Sequence, residues 1–163
     1  MERKAMKKRI LVDFDGVLHS YTSGWQGARN IPDPPVPGAV EWLCAALETF
    51  DVAIFSSRSH AFGGRRAMKG WLRKVSREFF LASEGHVITG AWLQMGYNTA
   101  MDPWDVVCDD AARHLVKRLE WPRHKVPAHL QLDDRAWCFG GEFPPLREMA
   151  AFQPWWKHVE EKG

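Results

Sequence analysis

Apolar and polar stretches alternate along the chain in a way that predicts an α/β fold whose strands end in polar groups. Ile10-Leu11-Val12 runs without polar interruption, as a strand buried on both faces does, and closes on Asp13, Asp15 and Gly16. Val52-Ala53-Ile54-Phe55 is a second such run and closes on Ser56-Ser57-Arg58-Ser59. Ala128 to Leu132 predicts a third, closed by Asp133 and Asp134. Helices are predicted between them. Val40, Leu43, Leu47 and Phe50 recur at spacings of three and four over 39–50. After the break at Gly63-Gly64, Met68, Trp71, Leu72, Val75 and Phe79 form one stripe, with Arg65, Arg66, Lys69, Arg73 and Arg77 elsewhere. A further helix is predicted to start at Asp109 and Asp110, with Ala112, Leu115, Val116 and Leu119 at helical spacing and Lys117 and Arg118 at its negative end. Leu119-Glu120-Trp121-Pro122 predicts a short strand, Trp137 to Phe143 two extended pieces around a Gly-Gly turn, and Pro145 to Phe152 a last helix. In Leu81 to Trp104 no periodicity decides; His86-Val87-Ile88 fits a short strand and Ala91 to Tyr97 a helical turn or two.

The chemistry sits where the apolar runs stop. Ligands of α/β sheets bind at the carboxyl ends of strands. Asp13 and Asp15 share a side if the first strand continues through them, and Gly16 allows a sharp turn and close approach to a ligand. Two carboxylates this close repel, call for a divalent cation or a lysine, and push one proton affinity upward, as a general acid requires. The plainer alternative is a strand that ends in an Asp- and Gly-bearing turn. Val106-Val107-Cys108 before Asp109 and Asp110 offers a rival acid pair for a metal, set against the helix reading. The polar stretch from His19 to Asn30 and the proline-rich 31–38 exclude a helix and put a loop over the first acids. Its Tyr21, Trp25 and Arg29 either touch a substrate or pack the loop down.

Arg9 to Leu18, an apolar run followed by Asp-x-Asp-Gly, resembles motif I of the haloacid dehalogenase superfamily. The strand closed by Ser56 resembles motif II, and Lys125 followed by a strand closed by Asp133 resembles motifs III and IV in their usual order. The resemblance extends from Arg9 to about Phe139. It implies a single domain over 1–163, a three-layer α/β/α sandwich with a mostly parallel Rossmann-like sheet, a small flap at 19–37, and room for an insertion only in 81–104. It also implies roles. Asp13 is then the nucleophile, Asp15 the acid/base and Lys125 the cation that steadies an aspartyl-phosphate. Gly16, Ser56, Ser57 and Arg58 contact the substrate, and Mg2+ is held by Asp13, the backbone carbonyl of Asp15, and Asp133. Within that superfamily an acid two residues after the nucleophile is associated with phosphoryl transfer, so the expected activity is that of a phosphatase. The small flap implies an open site for a phosphorylated small molecule, a nucleotide or a nucleic-acid end, with Arg29, Arg58 and Arg135 as candidate grips. The alternative is a phosphoryl- or nucleic-acid-binding module without catalysis.

Composition narrows the picture further. With 163 residues, 45% hydrophobic and 26% charged, one globular domain is expected. No apolar run reaches the length of a membrane span, and the expected location is the cytosol. Cys44, Cys108 and Cys138 lack any Cys-x-x-Cys spacing, which indicates neither a disulfide framework nor a zinc site. A net charge of +2 does not announce nucleic acid, although basic residues cluster at Arg3 to Arg9, Arg58 to Arg77 and Arg113 to Lys125.

Overall fold

The computed structural model describes residues 6–83, 103–138 and 140–158. Its centre is a parallel sheet in which β1 (Lys8–Val12) lies between β2 (Phe50–Ile54) and β3 (Leu130–Leu132). Ile10 pairs with Val52 on one side and Leu130 on the other, and Val12 with Ile54 and Leu132. The three strands therefore stop together. Asp13 N–H donates to the Leu132 carbonyl at 2.9 Å and Phe55 N–H to the Val12 carbonyl at 3.0 Å, so the residues beyond each strand emerge side by side. Ile10 to Val12 and Val52 to Ile54 are at most 4% exposed, the burial that their uninterrupted apolar runs require. β1 ends at Val12 and the chain turns at once: the Phe14 carbonyl accepts from the amides of Leu18 and His19.

Four helices occur among the described residues: α1 (Ala39–Thr49), α2 (Gly64–Ala82), α3 (Trp104–Arg118) and α4 (Leu146–Ala151). Leu43 and Leu47 of α1, Met68, Leu72 and Phe80 of α2, and Cys108, Ala112 and Leu115 of α3 join the strands in one core. α3 begins five residues before the predicted start, since Val107 and Cys108 lie on the same face as Ala111, Ala112 and Leu115 and continue the helical period backwards. Asp109 and Asp110 are thus mid-helix, and Asp105 takes the first turn. Asp109 is held by Arg73 Nη2 at 2.9 Å and Arg113 Nη2 at 2.7 Å, and Asp110 lies 3.5 Å from Arg113, which accounts for this acid pair without a metal.

Other expectations contract. The strand expected at 119–122 is a single bridge from Glu120 to Ala53, with Ile54 N–H donating to the Glu120 carbonyl. β3 starts at Leu130 rather than Ala128, although His129 N–H already donates to the Arg9 carbonyl at 2.8 Å. The described residues of 137–143 form no strand, and Phe139 lies outside them, as do the pieces expected at 86–88 and 91–97. The loop after β1 folds back on itself as a narrow flap, with Val36 N–H donating to the Leu18 carbonyl at 2.8 Å and Ser20 N–H to that of Pro34 at 3.0 Å. No helix among the described residues is long and apolar enough to cross a membrane.

Candidate active site

Because β1 and β3 are neighbours in register, Asp13 and the pair Asp133-Asp134 leave the sheet next to each other. One carboxylate oxygen from each of the three lies within 4.8 Å of the others. Burial, reinforced by the charges of Asp133, Asp134 and Asp15, pushes the Asp13 carboxyl up to about 7, against the lowering effect of Phe14 N–H, which donates to Oδ1 at 2.7 Å. The Asp134 carboxyl is also raised, again chiefly by burial, and partly relieved by a hydrogen bond from Trp156. Asp134 Oδ1 is buried without a hydrogen-bond donor. A buried, orphaned carboxylate oxygen beside two further carboxylates is an unfavourable arrangement that a hard divalent cation completes. The donor set fits magnesium. Gly16 makes the approach possible: it sits at φ +81°, and a Cβ there would collide with the Asp134 carboxylate and come 3.0 Å from Trp156 Nε1.

A cavity of about 250 Å³ opens beside the acids. Asp13, Asp15 and Asp133 form its acidic wall, Ser56 and Ser57 enter from the end of β2, and Tyr21 and Arg135 complete it. Ser56 caps the 3-10 turn Ser57–Ser59; its hydroxyl oxygen accepts from Arg58 N–H at 3.3 Å while its own amide donates to Ser59 Oγ at 3.1 Å. The Ser56 hydroxyl proton remains for an acceptor in the cavity.

Asp15 is engaged differently from the other acids. Arg58 Nε donates to both of its oxygens, at 3.1 and 2.8 Å, and His19 Nδ1 lies 2.9 Å from Oδ1. The amide of Asp33 donates to His19 Nε2 at 3.1 Å, so Nε2 accepts, and Nδ1 carries the proton that reaches Asp15. Arg58, expected at the substrate, is instead wholly buried and outside the cavity wall. Its Nη1 donates to the carbonyls of Gly27, Ala28 and Asn30 at 2.7 to 3.1 Å, and its guanidinium lies 4.7 Å from the Trp25 ring. It ties Asp15 to the flap. The side chains placed so that they could hold a cation together are Asp13, Asp133 and Asp134, with Asp15's carboxylate committed to Arg58 and His19.

Lys125 is exposed and lines a separate groove with Leu11, His129 and Leu130. It precedes the amino end of β3, whereas the acids follow the carboxyl end. The cation in the acid cavity is Arg135, whose guanidinium lies 5.6 Å from the Tyr21 ring and 5.5 Å from that of Trp156. Arg29 lines a different groove with Phe62 and Arg66. Two residues near the carboxyl terminus reach the site unannounced by any spacing in the sequence: Trp155 Nε1 donates to the Gly16 carbonyl and Trp156 Nε1 to Asp134 Oδ2, both at 2.7 Å. No family model matches the chain, and no curated protein and no solved structure shows significant similarity to it.

Proposed function

We propose that this chain is a magnesium-dependent phosphomonoester hydrolase of the haloacid dehalogenase kind, a three-layer α/β/α sandwich that works through an aspartyl-phosphate on Asp13. One observation carries the reading: Asp13, Ser56 and the Asp133-Asp134 pair converge at the carboxyl ends of three adjacent parallel strands, three of the four lining one cavity. Asp13, Asp133 and Asp134 would hold the ion. Bound there, magnesium supplies positive charge that lets an anionic carboxylate and a phosphate dianion share the cavity.

The chain's own groups do the rest. An Asp13 oxygen attacks phosphorus, the P–O ester bond breaks, and Asp15, which must enter this step protonated, gives its proton to the departing alkoxide. Water then attacks the aspartyl-phosphate, Asp15 takes its proton, and inorganic phosphate leaves with Asp13 restored. His19 and Arg58 keep Asp15 aimed at the cavity. The Ser56 hydroxyl and the Arg135 guanidinium donate to the phosphoryl oxygens, Arg135 filling the part that the motif resemblance gave to Lys125. The three cysteines are all unpaired, the state that a reducing cytosol maintains.

The test is hydrolysis of an aryl phosphate with and without magnesium, for the wild type and for Asp13→Asn. The reading expects metal-dependent turnover that falls to the uncatalysed rate in the variant. Turnover that survives chelation or the substitution overturns it, and phosphate binding without turnover leaves a non-catalytic phosphoryl-binding module.

A further inference from the structure

Beside the acid cavity, the start of α2 carries a strip of positive charge that the proposed chemistry does not use. A groove of about 650 Å³ is lined by Ser59, Phe62, Arg65, Arg66, Lys69 and Arg123 among others, and a second, of about 590 Å³, shares Phe62 and Arg66 with it and adds Arg29. No Asp or Glu lines either groove. Among the described residues none of these five cations is ion-paired with a carboxylate. The chain as a whole is nearly balanced, 22 basic against 20 acidic residues, so five cations without an acid are segregated charge. Two of them are fixed on Trp121: Arg65 Nη1 donates to its carbonyl at 3.3 Å and Lys69 Nζ lies 5.7 Å from its ring centre. Between the grooves stands Phe62, 93% exposed, the largest apolar exposure on this face.

The strip begins where the cavity ends. Ser56 and Ser57 line the cavity and Ser59 lines the groove, and the three belong to one capped turn. On the other side Arg29 packs on Gly63, where a Cβ would lie 2.8 Å from Arg29 Cδ, and it belongs to the flap segment whose carbonyls are held by Arg58. A phosphate seated at Asp13 therefore has a cationic track leading away from it.

We propose that this track seats the backbone of a single-stranded nucleic acid whose terminal phosphomonoester occupies the acid cavity, with a base stacked on Phe62. The inference rests on the phosphatase reading of the cavity and names its substrate class. Repeating phosphates match a line of unpaired arginines and lysine, and an exposed aromatic ring among them is what sequence-tolerant single-strand binding uses. An acidic phosphopeptide would match the charge but covers Phe62 only where an apolar side chain falls in register, whereas every nucleotide brings a base that can stack.

The test is fluorescence anisotropy of the wild-type protein with a labelled, unphosphorylated ten-nucleotide oligothymidylate. Five cationic contacts predict that the logarithm of the association constant falls against that of salt with a slope of about −3.5. Arg66→Glu combined with Lys69→Glu should weaken binding at least tenfold, and Phe62→Ala by about tenfold; all three side chains are exposed. Salt-independent binding, variants that bind like the wild type, or tighter binding of a phosphoserine peptide of equal charge would overturn the proposal. Release of phosphate from the end-phosphorylated oligonucleotide separates the two readings. Oligonucleotide binding with neither release nor aryl phosphate turnover supports the groove and sinks the phosphatase; aryl phosphate turnover without oligonucleotide binding, or with binding but no release from the oligonucleotide end, sinks the nucleic-acid substrate alone.

Discussion

Trp156 donates its indole N–H to Asp134 Oδ2 at 2.7 Å, a bond between residues 22 apart that fixes one oxygen of a buried carboxylate while the other, Oδ1, has no donor. The relationship orients Asp134 as an outer partner orients a metal ligand. Trp156→Phe keeps most of the packing and removes only the donor. The midpoint for activation by magnesium should rise by about tenfold or more, within the usual range for loss of such a partner. An unchanged midpoint in a magnesium titration of activity would separate Trp156 from the metal site.

Gly16→Ala should be costly for two separate reasons. The residue sits at φ +81°, and the new methyl group would collide with the Asp134 carboxylate. The left-handed backbone alone costs about 1–2 kcal/mol for a residue with a Cβ. Thermal unfolding should report at least that loss, and the displaced Asp134 should raise the magnesium requirement further. A variant with the wild-type melting temperature would show that the turn has room.

What the sequence made legible is the part set by local rules. Asp13 and Asp133 were placed by apolar runs that stop, and because both runs became neighbouring parallel strands the acids met. Asp134 stands in the acid pair that closes the third strand, but whether it joins Asp133 at a metal stays open in the sequence; Trp155 and Trp156 carry no site signal there because their place depends on how the last segment returns across the turn at Gly16, which no periodicity encodes. Arg58 misled in a different way. An arginine after a serine turn reads as a surface donor, yet this one is buried, with Asp15 on its Nε and three flap carbonyls on its Nη1, while Nη2 has no hydrogen-bond partner. The start of α3 was misplaced because Val107 and Cys108 serve a helix face as well as they would a strand.

Chelation should expose a pH-dependent cost of Asp13. Its carboxyl is raised from 3.8 to about 7, mainly by burial. Below about pH 4 the group is protonated in both folded and unfolded chains and the shift has no effect. As pH rises from about 4 to 7 the unfolded chain ionises and the folded one does not, so stability falls across that window by something on the order of a few kcal/mol. Asp13→Asn has no charge to bury. In chelator at pH 8 it should therefore melt above the wild type, with the advantage gone near pH 4 and reduced by magnesium. Melting curves at the two pH values check this, and equal melting temperatures at pH 8 would contradict it.

The contact between α2 and α3 has the opposite sign. Arg73 hydrogen-bonds to both Asp109 oxygens and, with Arg113 and Arg77, holds that carboxyl below its ordinary value. A lowered carboxyl stabilises the fold above about pH 4 and loses that contribution as pH falls through its folded value. With the Asp109 side chain 24% exposed, the pair contributes no more than about 1 kcal/mol. Asp109→Asn should lower the melting temperature at pH 7 by about 2–4 °C or less, and the difference should close in strong acid. A difference that grows in acid would mean that another group carries it.

The last prediction separates the two cations proposed for the phosphoryl group. Lys125 precedes β3 and lines a groove that holds none of the acids, whereas Arg135 follows Asp133-Asp134 and enters their cavity. Its position is set by the Tyr21 ring at 5.6 Å, the Trp156 ring at 5.5 Å and Asp134 Oδ2, 3.7 Å from its Nε, which lowers the ordering cost of donating to the proposed phosphoryl group. Loss of a charge-assisted hydrogen bond is worth about 1.5–3 kcal/mol, which corresponds to roughly 10- to 100-fold in kcat/KM. Arg135→Ala should show that loss on an aryl phosphate, together with weaker inhibition by inorganic phosphate, a binding readout independent of turnover. Arg135→Lys should recover only part, since an ammonium keeps the charge but not the fork. Lys125→Ala should stay within about twofold of wild type, because its removal touches only a surface groove. The reverse pattern, inactive Lys125→Ala and active Arg135→Ala, would require the chain ahead of β3 to swing Lys125 into the cavity and would return the phosphate-steadying role to the lysine.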